Sequence, residues 1–313
     1  MSYARRKHPA PLPARAPHLQ AAVPASMKPP GGLELNAHMS SPAGFRRELA
    51  AFFLLTFALS WAIEVPLALS AQGLIHASVP FWLHYLASFG PLCAAVIVTL
   101  VTRGPRGTAR LLSGLARWRI KPIYWNVAVV APCTIFAVLV LATRVARGAW
   151  PDLAALGQPD YLPALGIPAT LLLWTATFGV GEEVGWRGFA LPRLQAGRSA
   201  FSASMRLGAL WAVWHLPALF YRDTYLEMGL LVIPMLLTVA AVGSTVYTWM
   251  YNGTGGSLLA LVVFHGLFDF FSVWPAGVLG PGMLMTVLMV FWAVRVFKLH
   301  GPATLAPADN VSL

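Results

Sequence analysis

Six ionisable residues lie inside the most apolar part of the chain. Glu182, Glu183 and Arg187 sit in LLLWTATFGVGEEVGWRGF, His215 in LGALWAVWHLPALFY, and His265 with Asp269 in SLLALVVFHGLFDFF. A charge at the centre of a bilayer helix costs about 2.5–3.5 kcal/mol, so ionisable groups in such segments are functional candidates by default. The chemistry open to this set is proton transfer. A carboxylate and imidazoles can activate water and stabilise developing charge, as amide hydrolysis requires, or they can form the proton relay of a transporter. No serine or cysteine stands where it could act as the nucleophile.

Local spacing separates their roles. Glu183 and Arg187 are four residues apart on one helix, which suits an ion pair that neutralises both. Glu182 points about 100° away and is the free carboxylate. His265 and Asp269 are again at i and i+4 and face one point. Pro217, two residues after His215, loosens the backbone there. With a helix running from near Pro168 to Pro192 and two others rising from near Ser204 and Gly256, Glu182, His215 and His265 each fall about ten residues from the inner ends, roughly 15 Å. That common depth predicts one site inside the bundle, open to the cytoplasm. Trp174, Trp186, Trp211, Trp214 and Phe268 read as packing or interface aromatics, and His76 and His84 as interfacial residues. Glu64, two residues before Pro66, is a buried acid with no assigned role.

The elements that must hold these residues follow from composition. The chain is 58% hydrophobic and 11% charged, with mean hydropathy +0.66, where soluble domains have about 25% charged residues. Apolar stretches near the roughly 20 residues needed to span a bilayer cover 49–70, 80–101, 123–143, 165–191, 204–221, 228–250, 256–273 and 279–297. The expected fold is all-α: a polytopic membrane protein of about eight transmembrane helices, with the last two joined by the turn Trp274-Pro275-Ala276-Gly277.

The net charge of +11 does not call for nucleic acid. Of 22 basic residues, 19 fall toward one side if the amino terminus is inside, while Arg144, Arg147 and Arg222 share the outer loops with acidic residues. This positive-inside pattern orients the chain with both termini cytoplasmic. Residues 1–45, rich in Pro, Ala, Arg and His, read as a flexible cytoplasmic tail with no secretory signal. Residues 46–300 form the intramembrane domain, and 301–313 a short cytoplasmic tail. The segment 103–121 alternates basic and apolar residues at helical spacing, and reads equally as an interfacial helix with its arginines toward lipid phosphates or as a basic loop. Cys93 and Cys133 lie in separate spans and read as small core residues rather than a disulfide or a metal pair.

Three motifs now carry a resemblance. Glu182-Glu183-Val-Gly-Trp-Arg187 is similar to E-E-x-x-x-R, Trp211-Ala-Val-Trp-His215 to F-x-x-x-H, and His265-Gly-Leu-Phe-Asp269 to H-x-x-x-N/D. In this order and context the chain resembles the CPBP family of intramembrane proteases, the CAAX prenyl endopeptidase-like or ABI group, over residues 45–300. The resemblance implies an intramembrane endopeptidase acting on a peptide or protein substrate at the bilayer, including membrane-anchored ones. In it Glu182 activates a water, His215 helps bind that water, and His265 and Asp269 stabilise the oxyanion. Glu183 and Arg187 support the site. Zn2+ is a candidate cofactor, with Glu182, His215, His265 and Asp269 as its candidate ligands; a Glu-activated water needs no metal, and the alternatives stay open.

Two departures from the pattern stand out. Trp211 replaces the usual Phe, with an effect expected on packing alone. Asp269 stands where Asn is common: either burial keeps it protonated as a donor, the favoured expectation, or it is ionised and orients His265 or binds a cation. A proton-coupled transporter and a catalytically silent immunity or scaffold protein are the competing function classes. Against the first, no paired halves appear; against the second, no site residue is missing.

Overall fold

Proline and glycine decide where the apolar stretches start and stop. The computed structural model describes residues 42–272, 274 and 281–307, and all regular structure among them is helical. Helix α1 is Pro42–Ala71, and α2, Gly90–Leu112, is kinked at Gly104. Helix α3 is Ala131–Arg147, closed by Gly148 in the left-handed conformation (φ 68°) that a C-terminal glycine adopts at little cost. A helical rod over 167–195, here α4, carries Pro168 in its first turn, where a missing N–H costs nothing. Then come α5, Ala200–Trp214, capped by Ser199 Oγ accepting from Ser202 N, α6, Val232–Gly253, α7, Leu258–Ser272, and α8, Pro281–Thr304. These correspond to the eight apolar stretches.

Four helical segments are long and apolar enough to cross a bilayer by length and composition: Gly44–Ala71, Phe81–Ala116, Pro122–Arg147 and Gly229–Gly253. The helix that carries His265 and the one that ends just before His215 are shorter. Each of α5 and α7 has 15 residues, a rise of about 22 Å against a hydrocarbon core of about 30 Å.

Helix α4 is the centre of the bundle, and it is not a regular α-helix. Residues 175–180 and 184–190 are π-helical, a widened geometry that recurs at functional sites. Small residues let neighbours approach it closely. A Cβ on Gly181 would lie 2.6 Å from the Ser88 carbonyl oxygen, and one on Gly185 would lie 2.6 Å from that of Pro91. This small-xxx-small pair seats α4 on the start of α2. On the opposite side, a Cβ on Gly266 would lie 2.5 Å from Thr175 Oγ1. That contact brings α7, and with it the adjacent His265, against α4.

Several sequence expectations change. The stretch 204–221 is not one helix: α5 ends at Trp214, and Leu216–Phe220 is a 3-10 turn. Pro217 has no N–H to donate and disfavours α-geometry at Leu216. Arg103 does not face lipid phosphate. Its Nη2 donates to both Glu48 oxygens at 3.2 and 3.0 Å, and Arg193 Nε donates to Glu48 Oε2 at 2.6 Å, so one buried carboxylate ties α1, α2 and α4. Cys133 is exposed rather than in the core.

Glu64 and His84 are partners in one buried chain, so His84 is not interfacial. His84 Nδ1–H donates to the Tyr221 hydroxyl (3.0 Å), which donates to Glu64 Oε1 (3.3 Å). Residues 301–307 pack rather than trail. Leu305 and Ala306 are buried, and Asn252 Nδ2 donates to the Thr304 carbonyl at 2.7 Å. The tail over 1–41, the last residues 308–313 and the turn at 275–277 lie outside the described residues.

Candidate active site

The two glutamates of α4 face different partners, as their 100° separation requires. Glu183 is fully buried and is the hub of an ion cluster. Its Oε1 accepts from Arg187 Nη1 and from His265 Nδ1, each at 2.7 Å. The guanidinium carbon of Arg187 lies 4.1 Å from the Tyr247 ring centroid and 4.8 Å from that of Trp211, so two π faces replace the solvent it has lost. The i,i+4 ion pair expected from the sequence is therefore present, and it extends to α7.

Glu182 stands apart from that cluster. Its Oε2 accepts the indole N–H of Trp211 at 2.7 Å and of Trp186 at 3.3 Å. Neither indole was expected to do more than pack. Oε1 accepts no hydrogen bond from the described residues, which leaves one carboxylate oxygen open for a small molecule such as water.

The end of α5 sets the state of His215. Pro217 stops the α-helical pattern, so the His215 N–H bonds to the Ala212 carbonyl instead of that of Trp211. The released Trp211 carbonyl is taken by His215 Nδ1 at 2.8 Å. A carbonyl only accepts, so Nδ1 donates, and in the neutral ring Nε2 then carries the lone pair. The Trp214 carbonyl, released in the same way, accepts from Trp61 Nε1 at 3.0 Å.

His265 completes the set from α7. Its Nε2 lies 3.2 Å from Asp269 Oδ2, and the Asp269 side chain is 28% exposed. The contact places Asp269 where it can orient the His265 ring. Both imidazoles flank Trp211, with ring centroids 5.5 Å (His215) and 5.7 Å (His265) from it. The structure thus gathers Glu182, His215, His265 and Asp269 with Glu183 and Arg187 around one tryptophan. Trp174 and Phe268 pack elsewhere, on Phe178 and Phe264.

Sequence reasoning missed Trp186, Trp211 and Tyr247. Trp186 had a local signal in its i+4 spacing from Glu182, and Trp211 one in its departure from the Phe of the motif; Tyr247 had none.

The arrangement does not fit a three-ligand zinc site. Of the candidate ligands, His265 has a carboxylate on each ring nitrogen, which leaves it no free lone pair for a metal. Among the described residues no group of three or more His, Cys, Asp or Glu side chains is disposed to hold a metal ion.

Residues 163–271 match the family model of type II CAAX prenyl endopeptidase Rce1-like proteins. The chain is also 33% identical over 122 residues to CAAX prenyl protease 2 of Methanococcus maripaludis. That alignment covers 35% of this chain and 40% of the relative, so the chain spans less than half the length of the curated relative it matches. The family match includes α4, α5 and the part of α7 that carries His265 and Asp269.

Proposed function

We propose, starting from the match of residues 163–271 to the type II CAAX prenyl endopeptidase Rce1-like family model, that this protein is an integral-membrane endopeptidase that hydrolyses a peptide bond with a water activated by Glu182. The observation that carries the reading is the asymmetry of the two carboxylates. Glu183 is consumed by Arg187 and His265, while Glu182 is held by one oxygen and presents the other.

In the proposed step, Glu182 Oε1 takes a proton from water while the Nε2 lone pair of His215 accepts the water's second hydrogen and orients it. The hydroxide oxygen bonds to the peptide carbon, and the carbonyl π electrons move onto oxygen. His265 Nε2–H, held at 3.2 Å by Asp269, is the donor available to that oxyanion. The proton on Glu182 passes to the leaving nitrogen as the C–N bond breaks. Glu183 and Arg187 fix the ring of His265 from behind. No step uses a metal. With the positive-inside arrangement, the site works near the cytoplasmic side of the bilayer, on a prenylated or otherwise membrane-anchored peptide.

The test is cleavage of a quenched, farnesylated CAAX-ended peptide by the purified full chain in lipid, with metal content measured in parallel. Wild type should cut it and retain activity in chelator, while Glu182→Gln should be folded and inactive. Full turnover by Glu182→Gln, or no cleavage by wild type, would overturn the proposal.

A further inference from the structure

We infer that Trp211 is a positioning residue of the hydrolytic centre: its indole N–H holds the Glu182 carboxylate and its carbonyl sets the tautomer of His215. The inference rests on the function proposed above and deepens it. At this position the resembling motif carries Phe, which has no donor.

The geometry connects Trp211 to Glu182, His215, His265 and Arg187. Its Nε1–H donates to Glu182 Oε2 at 2.7 Å, shorter than the 3.3 Å bond from Trp186. Its carbonyl accepts from His215 Nδ1 at 2.8 Å. Its ring covers the Arg187 guanidinium at 4.8 Å and lies edge-on to His265 at 5.7 Å. The residue is 8% exposed, so no water competes strongly for the N–H.

A short charge-assisted bond of this kind stops the carboxylate from rotating. With Oε2 fixed by two indoles, Oε1 is the oxygen that faces the water. Without the Trp211 donor, the carboxylate keeps only the longer Trp186 bond and samples orientations in which neither oxygen meets the water. The ground-state site for substrate does not change, so the loss should fall on turnover and not on binding.

The experiment is Trp211→Phe in the full chain, which keeps an aromatic ring and the backbone carbonyl and removes the donor. Trp174→Phe is the control: Trp174 is buried more deeply, at 2% exposed, lies on the same helix as Glu182, and its Nε1 has no hydrogen-bond partner among the described residues. Trp211→Phe should lower kcat about 10- to 100-fold, the equivalent of about 1.4–2.8 kcal/mol, with KM changed less than about twofold. Trp174→Phe should leave kcat unaltered. A Trp211→Phe protein with wild-type kcat, or an equal loss in Trp174→Phe, would overturn the inference.

A second reading does not depend on activity. In 15N-tryptophan-labelled protein, Glu182→Ala should move the Trp211 indole N–H resonance and leave that of Trp174 in place; an unmoved Trp211 signal also overturns it. The two levels separate cleanly. An inactive Glu182→Gln with a fully active Trp211→Phe removes only the role of Trp211, whereas an active Glu182→Gln removes the proposed mechanism.

Discussion

Replacing Arg187 by Met tests whether the ion cluster behind His265 is as interdependent as its geometry requires. Met keeps most of the side-chain volume, so the change is chiefly electrostatic. In the native cluster both donors to Glu183 converge on Oε1, while Oε2 is buried without a partner. Loss of the guanidinium leaves a fully buried carboxylate with His265 alone, and breaking a buried pair in this way costs about 3–5 kcal/mol. The contacts with Tyr247 and Trp211 add on the order of 1 kcal/mol.

The double variant Arg187→Met/Glu183→Gln removes both charges, and its amide oxygen can still accept from His265 Nδ1–H. Its stability should return to within about 1–2 kcal/mol of wild type, a coupling of about 2–4 kcal/mol between the two sites. Equilibrium unfolding in mixed micelles by increasing SDS, at fixed lipid ratio, reads all four corners of the cycle. The reasoning is refuted if Arg187→Met loses less than about 1 kcal/mol, or if the double variant loses the sum of the single changes.

Two further outcomes follow from the same site. Asp269→Asn keeps an oxygen that can accept from His265 Nε2–H, so its kcat should stay within about fivefold of wild type, while Asp269→Ala should lose more; equal kcat values for the two variants would show that the 3.2 Å contact does not orient the ring. Pro217→Leu should let α5 continue, returning the Trp211 carbonyl to a backbone donor and freeing His215 Nδ1. Its kcat should fall about tenfold with stability unchanged or raised, and 15N spectra of His215 should show loss of the Nδ1–H tautomer; an unchanged tautomer counts against the capping role.

What could be read from the sequence, and what could not, divides along contact range. Helix periodicity is a local property, so the Glu183–Arg187 pair, the i,i+4 facing of His265 and Asp269, and the different bearing of Glu182 were all visible in the spacing. Pro217 likewise carried a local signal for the end of α5, since its effect depends only on the four preceding residues. The apolar stretches and basic bias were enough for an all-helical membrane bundle, because the cost of burying backbone and charge in lipid depends on residue type and not on partners. The partners themselves required tertiary structure. Glu183 meets His265 across 82 positions, Trp211 meets Glu182 across 29, and Tyr221 meets Glu64 across 157. No periodicity encodes which face of α7 lies against α4; that is decided by how closely Gly266 lets the two backbones approach. The same packing turns Trp211 from an apolar ring at a Phe position into a hydrogen-bond donor, because only in the folded bundle does a carboxylate stand 2.7 Å from its nitrogen.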